Sequence, residues 1–237
     1  MAPMRLGDGT SLRAKGYSQV RKGDGTELWN AIPDSVVEDF EDGNLDNYSG
    51  DKTSQTIIST DALEGSFSLE TTAGSLVESS SETVILWTDH PDPPQKGGDD
   101  FSALIEPRAA DANGAFLFAT SGSTPDWSGY VILLGTSIDA TWIGKVESGS
   151  STWIAQGSGP ISQDQTYEVV ASWQSNDTIS ATTYEFDTST MTRGSEVESI
   201  SATDGTFTTG GIGLGGSGDA EPVALDWYVI GPGDGNY

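Results

Sequence analysis

From Ser35 onward the chain is cut into short runs of Val, Ile, Thr and aromatic residues separated by Gly, Ser, Asp and Asn, and helical periodicity is almost absent. Fourteen runs stand out, at 36–40, 55–59, 67–71, 84–87, 101–105, 115–119, 130–134, 141–146, 152–155, 166–173, 178–186, 196–201, 211–214 and 223–230. Strands of that length and number, joined by turn residues, are expected to stack as a large antiparallel sandwich. Tyr167, Val169, Ala171 and Trp173 alternate with Glu168, Val170 and Ser172, as a strand does when one face meets a core. Val223, Leu225, Trp227 and Val229 repeat the pattern near the C-terminus, with Ala224, Asp226, Tyr228 and Ile230 on the opposite face. Asp226 is the single acid in that otherwise apolar strand and needs an explanation.

The chain holds 36 Asp and Glu against 10 Lys and Arg, and half of the basic residues fall in the first 22 positions. Residues 1–33 carry five basic groups (Arg5, Arg13, Lys15, Arg21, Lys22) and three acidic ones, leaving 33 acidic and five basic groups for the remaining body. A body at −28 repels itself at ordinary ionic strength, but at molar salt the Debye length falls to about 3 Å and the repulsion is screened. The composition therefore points to a protein made to work in concentrated brine. Seven Trp, seven Tyr and seven Phe separate it from acidic disordered chains, and its scattered Asp residues separate it from calcium-rich Gly-Asp repeats. The same field repels phosphate backbones, so nucleic acid is not an expected partner. With no Cys, neither disulfides nor thiolate metal sites are open to the chain. No apolar run suits a signal peptide or a membrane span, so membrane insertion is not expected either.

Residues 4–12 and 20–28 share an apolar-Arg-x-Gly-Asp-Gly-Thr-x-Leu pattern at a spacing of 16 residues. Each Gly-Asp-Gly can supply the positive φ angles of a tight hairpin turn. Two such hairpins are too small to bury a core alone. Residues 1–33 are therefore expected to be a docking arm, with Arg5, Arg13, Arg21, Lys22 and Trp29 as its contact residues, ahead of a sandwich over 34–237.

The body opens with Phe40-Glu41-Asp42-Gly43-Asn44-Leu45, continues with Ala62-Leu63-Glu64-Gly65-Ser66-Phe67-Ser68-Leu69, and closes with Gly211-Ile212-Gly213-Leu214 before Leu225-Asp226-Trp227-Tyr228-Val229. This succession resembles the concanavalin-like jelly rolls, the group that includes laminin-G-like domains and many carbohydrate-binding modules, over most of residues 35–232. The resemblance implies an all-β antiparallel jelly roll, here preceded by a short hairpin arm. In many of those modules the opening Glu, an Asp of the last strand and a carbonyl of a Gly-containing turn hold a structural calcium. Carried over, that implies Ca2+ bound by Glu41, Asp226 and the backbone of Gly65. A hard cation would relieve the repulsion of two carboxylates brought together by the first and last strands. Without one, Glu41 reads as a solvated turn residue and Asp226 as an acceptor from a backbone amide or hydroxyl.

Carbohydrate recognition needs exposed aromatic faces flanked by polar groups. Trp127 in Pro125-Asp126-Trp127-Ser128-Gly129-Tyr130 is the expected contact residue, with Asp126 and Tyr130 beside it, because a turn flanked by Pro and Gly tends to hold its side chain at the surface. Trp87, Trp142 and Trp153 read first as core. No catalytic residue is expected: His90, the single histidine, sits in a loop without a nucleophile and reads as solvated, and Glu185-Phe186-Asp187 lacks the final Glu of the glycosidase Glu-x-Asp-x-Glu strand.

Residues 21–29 resemble the short Gly-rich repeats with a terminal Trp that begin many appendage proteins of tailed viruses. The resemblance implies a non-enzymatic structural protein on the virion surface of a halophilic archaeal virus, a head decoration or a tail appendage, made in the host cytoplasm. Its expected partners are other virion structural proteins through residues 1–33, copies of itself in a trimer or pentamer, and host surface glycans. Two alternatives stay open, a carbohydrate-binding or cell-surface domain of a halophile and an atypical glycoside hydrolase.

Overall fold

Each of the fourteen runs carries a strand in the structure, a computed structural model of the chain. It describes residues 40–63, 65–71, 76, 83–91, 93–98, 100–217 and 222–230, with backbone alone for 20–21, 27–29, 35–38 and 227–230. Two units divide the chain, Met1–Ser35 and Val36–Tyr237. In the first, β1 (Val20–Arg21) and β2 (Glu27–Trp29) flank the second Gly-Asp-Gly-Thr repeat and pair antiparallel, Val20 opposite Trp29 and Arg21 opposite Glu27. Arg5, Arg13, Lys22 and the first repeat lie outside the described residues, as do the side chains of Arg21 and Trp29.

The second unit is a sandwich of two antiparallel sheets. One runs in the order β12 (Ser150–Gln156), β11 (Ala140–Glu147), β10 (Ser128–Gly135), β9 (Asn113–Ser121), β16 (Gly211–Ser217), β7 (Val84–Trp87), β4 (Ser49–Gly50). The other runs β15 (Thr192–Thr203), β14 (Thr178–Asp187), β13 (Tyr167–Trp173), β8 (Phe101–Pro107), β17 (Val223–Ile230), β6 (Ser68–Thr71), β5 (Gln55–Ile58), with β3 (Ser35–Glu38) also on β17. Between the sheets, Phe116, Phe118, Tyr130, Ile132 and Leu134 meet Phe101, Ile105, Tyr167, Val169 and Trp173, all buried. The alternation of β13 is thus met, and each large side chain so buried contributes about 1.5–3 kcal/mol.

The seven-stranded sheet is apolar on its other face as well. Val84, Leu86, Ala115, Leu117, Val131, Leu133 and Val146 form a second buried cluster there with Leu76 and Trp127. Interstrand register explains why these residues meet. One row across the sheet reads Gln156, Trp142, Leu133, Ala115, Gly215, Val84, and the next reads Trp153, Gly144, Val131, Leu117, Gly213, Leu86.

All five cations of the body are committed to internal contacts. Lys52 Nζ donates to Leu45 O at 2.6 Å, and Lys96 pairs with Asp177. Arg108 joins Glu106 at 2.9 Å and Glu70 at 3.1 Å and donates to Asp61 O. Lys145 lies 3.2 Å from both Glu147 and Asp204. Arg193 holds both oxygens of Glu168, at 2.6 and 2.7 Å, and stacks over the Tyr184 ring. Burial raises the Asp204 pKa, but donors from Thr206, Tyr130 and Lys145 outweigh it and hold the carboxyl down at about 2.

Candidate functional site

Trp127 does not stand at the surface. Its side chain is fully buried in the outer-face cluster, and its indole Nε1 donates to Leu76 O at 3.1 Å. The loop carrying it lies down on the sheet instead of projecting from it: Trp127 O accepts from Gly149 N at 3.0 Å, and Ser128 Oγ from Ser148 N at 2.9 Å. Tyr130 is buried too, on the inner face, where its hydroxyl donates to Asp204 and accepts from Phe207 N. Desolvation raises its pKa well above the usual phenol value. Of the three residues expected to contact a ligand there, only Asp126 is exposed. The Pro and Gly flanks gave the turn its bend, while the apolar rows beneath decided where the indole would go.

Partly exposed aromatics on this face are Trp142 and Trp153, with ring centroids 5.2 Å apart and planes at 69°. Trp153 lies over Gly144, where a Cβ would come within 2.7 Å of its ring, so only glycine lets the indole settle this close to the sheet. Gln156, exposed, stands directly opposite Trp142 on the same face, and Ser151 and Thr152 are exposed beside Trp153 along β12. From the facing sheet, Glu198 on β15 reaches behind this corner. Its carboxylate accepts from Thr141 N, next to Trp142, and from Ser158 N at 2.8 Å and Gly159 N at 2.9 Å, just past Gln156. Two edge-to-face indoles, the Gln156 amide and the Ser151 hydroxyl thus share one face, on strands held by one carboxylate. That arrangement offers apolar ring faces and hydrogen-bonding groups to a polar, uncharged ligand.

Glu41 and Asp226 each bond to the segment 65–68. Glu41 Oε1 accepts from Ser66 N at 2.6 Å and Phe67 N at 3.0 Å, and Gly65 (φ +60°) lies so close that a Cβ would meet that oxygen. Asp226 Oδ2, buried, accepts from Ser68 Oγ at 2.5 Å, and Ser68 Oγ accepts from Leu63 N. These donors account for the acid in the last strand. The set supplies two carboxylates and a hydroxyl along that segment, hard oxygen donors of the type calcium takes. Among the described residues no group of three or more His, Asp or Glu side chains gathers.

His90 is buried rather than solvated, its ring edge-on to Trp87 at 4.4 Å, in a turn where His90 N donates to Trp87 O at 3.4 Å. Glu185 is exposed, and Asp187 caps the turn after β14 through Ser189 N and Oγ, whose hydrogen bonds lower its pKa.

No family model matches the sequence, and no curated protein does. Among solved structures, the chain is similar to carbohydrate binding module CBM66 from Bacillus subtilis (TM-score 0.48, 19% identity, 75% of this chain and 96% of that one). It is also similar to a Bacillus subtilis protein of unknown function with a galectin-like fold (0.49, 11%, 77% and 87%). A third is endo-beta-1,4-glucuronan lyase from the fungus Trichoderma reesei (0.48, 11%, 82% and 93%). The fold assignment rests on the chain's own strand order: an antiparallel two-sheet jelly roll.

Proposed function

We propose that this chain is a non-enzymatic, lectin-like display protein of the virion surface of a halophilic archaeal virus, and that its sandwich touches neutral host-surface glycans through Trp142, Trp153 and Gln156. The observation that carries the glycan part is the Trp142–Trp153 corner, the partly exposed aromatic pair on a face whose other tryptophan, Trp127, is buried. The groups at the corner set the ligand class, since indole faces, an amide and a hydroxyl match the ring faces and hydroxyls of an uncharged sugar. The basic hairpin arm supports attachment to other virion proteins. Titrating neutral oligosaccharides in molar KCl should quench tryptophan fluorescence, and Trp153→Ala should weaken binding roughly tenfold or more. Equal affinity for the variant would contradict this site. Co-migration of the protein with virus particles in a density gradient tests its place on the virion, and its absence from them would favour a cellular surface domain.

The reading includes a structural Ca2+ at the Gly65 turn, held by Glu41, Asp226 and the Gly65 carbonyl. When bound, the ion supplies charge neutralisation between the first and last strands. A cation that binds only the native state stabilises it by mass action, so chelation at fixed ionic strength should lower the melting temperature. Asp226→Asn should erase that effect, and identical melting with and without chelator would leave both acids to their hydrogen bonds alone.

A further inference from the structure

Strand β15 ends the order of the eight-stranded sheet, so among the described residues no strand covers its outer edge. Its two halves differ. Toward Thr192 its pairing with β14 shifts register twice, between Thr183 and Tyr184 and between Tyr184 and Phe186, and it carries Arg193, Glu196 and Glu198. Bulges and charges are the devices that stop an edge strand from pairing with another chain. From 199 to 203 the ladder is regular and the residues are Ser199, Ile200, Ser201, Ala202 and Thr203, without a charge or a bulge. Ser199, Ser201 and Thr203 are exposed, and their cross-strand partners Thr182, Ser180 and Thr178 extend the uncharged hydroxyl face onto β14.

The acids bordering this stretch are both satisfied internally. Glu198 on one side accepts three backbone N–H groups, one from β11 and two from the segment just after β12. Asp204 on the other accepts from Tyr130 Oη and Thr206 N at 2.9 Å and lies 3.2 Å from Lys145. In a body with 33 acids, two identical copies can approach only where no unneutralised acids meet.

We propose that two copies of this chain pair antiparallel along 199–203 about a two-fold axis at Ser201, joining their eight-stranded sheets into one. In that register Ser201 meets its own symmetry mate, Ser199 meets the mate of Thr203, and Ile200 meets the mate of Ala202, so each opposed pair within 199–203 is uncharged; one step out Glu198 stands opposite the mate of Asp204, both carboxylates being turned to donors of their own sandwich. The contact is isologous, as a two-fold axis requires. An interface of five residues a side lies at the small end of specific contacts, so the dimer dissociates on dilution. The inference rests on the edge itself and holds whatever the sandwich binds.

Sedimentation velocity of the full chain in molar KCl tests it. The expected result is a dimer whose fraction rises with protein concentration. Ser201→Lys, which sets two ammonium groups against each other, should sediment as a monomer with unchanged circular dichroism, while Ser172→Lys, on the same face but two strands in, should still dimerise. Should Ser201→Lys fold poorly, Ser199→Lys makes the same test one position along the face. A wild-type monomer at every concentration, or association that survives the edge lysine, overturns the proposal. Loss of dimer in Ser172→Lys to the same degree would overturn it too, by assigning the contact to the sheet face.

Discussion

A lysine or arginine survives in this body only where it holds something in place. Arg193 illustrates the point: its guanidinium grips Glu168, whose side chain is 0% exposed, while Arg193 itself is 17% exposed. A surface pair would be worth about 0–1 kcal/mol, but removing the guanidinium from a buried carboxylate costs about 3–5 kcal/mol. Arg193→Ala should therefore lower unfolding stability in molar KCl by an amount in that upper range, read from chemical denaturation. The double variant Arg193→Met with Glu168→Leu should recover most of it, because an apolar pair of similar volume needs no charge compensation. A cost below about 1 kcal/mol for the single variant would show the pair to be solvated.

At the scale of elements, strand positions were readable because turn residues punctuate them and because β13 turns Tyr167, Val169, Ala171 and Trp173 to the core, although Glu168 on its other face is buried as well. What went unread lay in the same sequence. Val84-Ile85-Leu86-Trp87, Ala115-Phe116-Leu117-Phe118-Ala119 and Tyr130-Val131-Ile132-Leu133-Leu134 are unbroken apolar runs, the signature of strands buried on both faces. An outer face of that kind needs a cover, and Trp127 supplies part of it. Reading Trp127 by its Pro and Gly flanks alone sent it outward, whereas Trp142 and Trp153, which read as core, keep partial exposure at the rim beside the end strand β12. Glu198 could not have been found from local sequence, since the N–H groups that donate to it lie 39 to 57 residues away, on β11 and in the segment just after β12. Trp127→Ala should cost about 3–5 kcal/mol by opening a cavity in the outer-face cluster. Glycan affinity of the folded variant should stay that of the wild type, and a matching loss of affinity would return Trp127 to the binding site.

For the whole molecule, the balance of charge dominates. Four of the five cations of the body pair with acids and the exposed Lys52 holds a carbonyl, so the exterior of the sandwich presents mostly acids, hydroxyls and a few aromatic rims, with repulsion spread over the surface. The ion pairs that involve Arg108, Lys145 and Arg193 are mostly sheltered, with cation exposures of 15 to 18%, and screening reaches them less than it reaches exposed acids. Salt should therefore remove the unfavourable part of the electrostatics while leaving much of the favourable part. Thermal unfolding followed by circular dichroism at rising KCl tests this most directly. The account predicts a cooperative transition in molar salt, a midpoint that falls steadily as salt is withdrawn, and loss of the folded state in dilute buffer. A midpoint that is the same in dilute buffer and in molar KCl would contradict it.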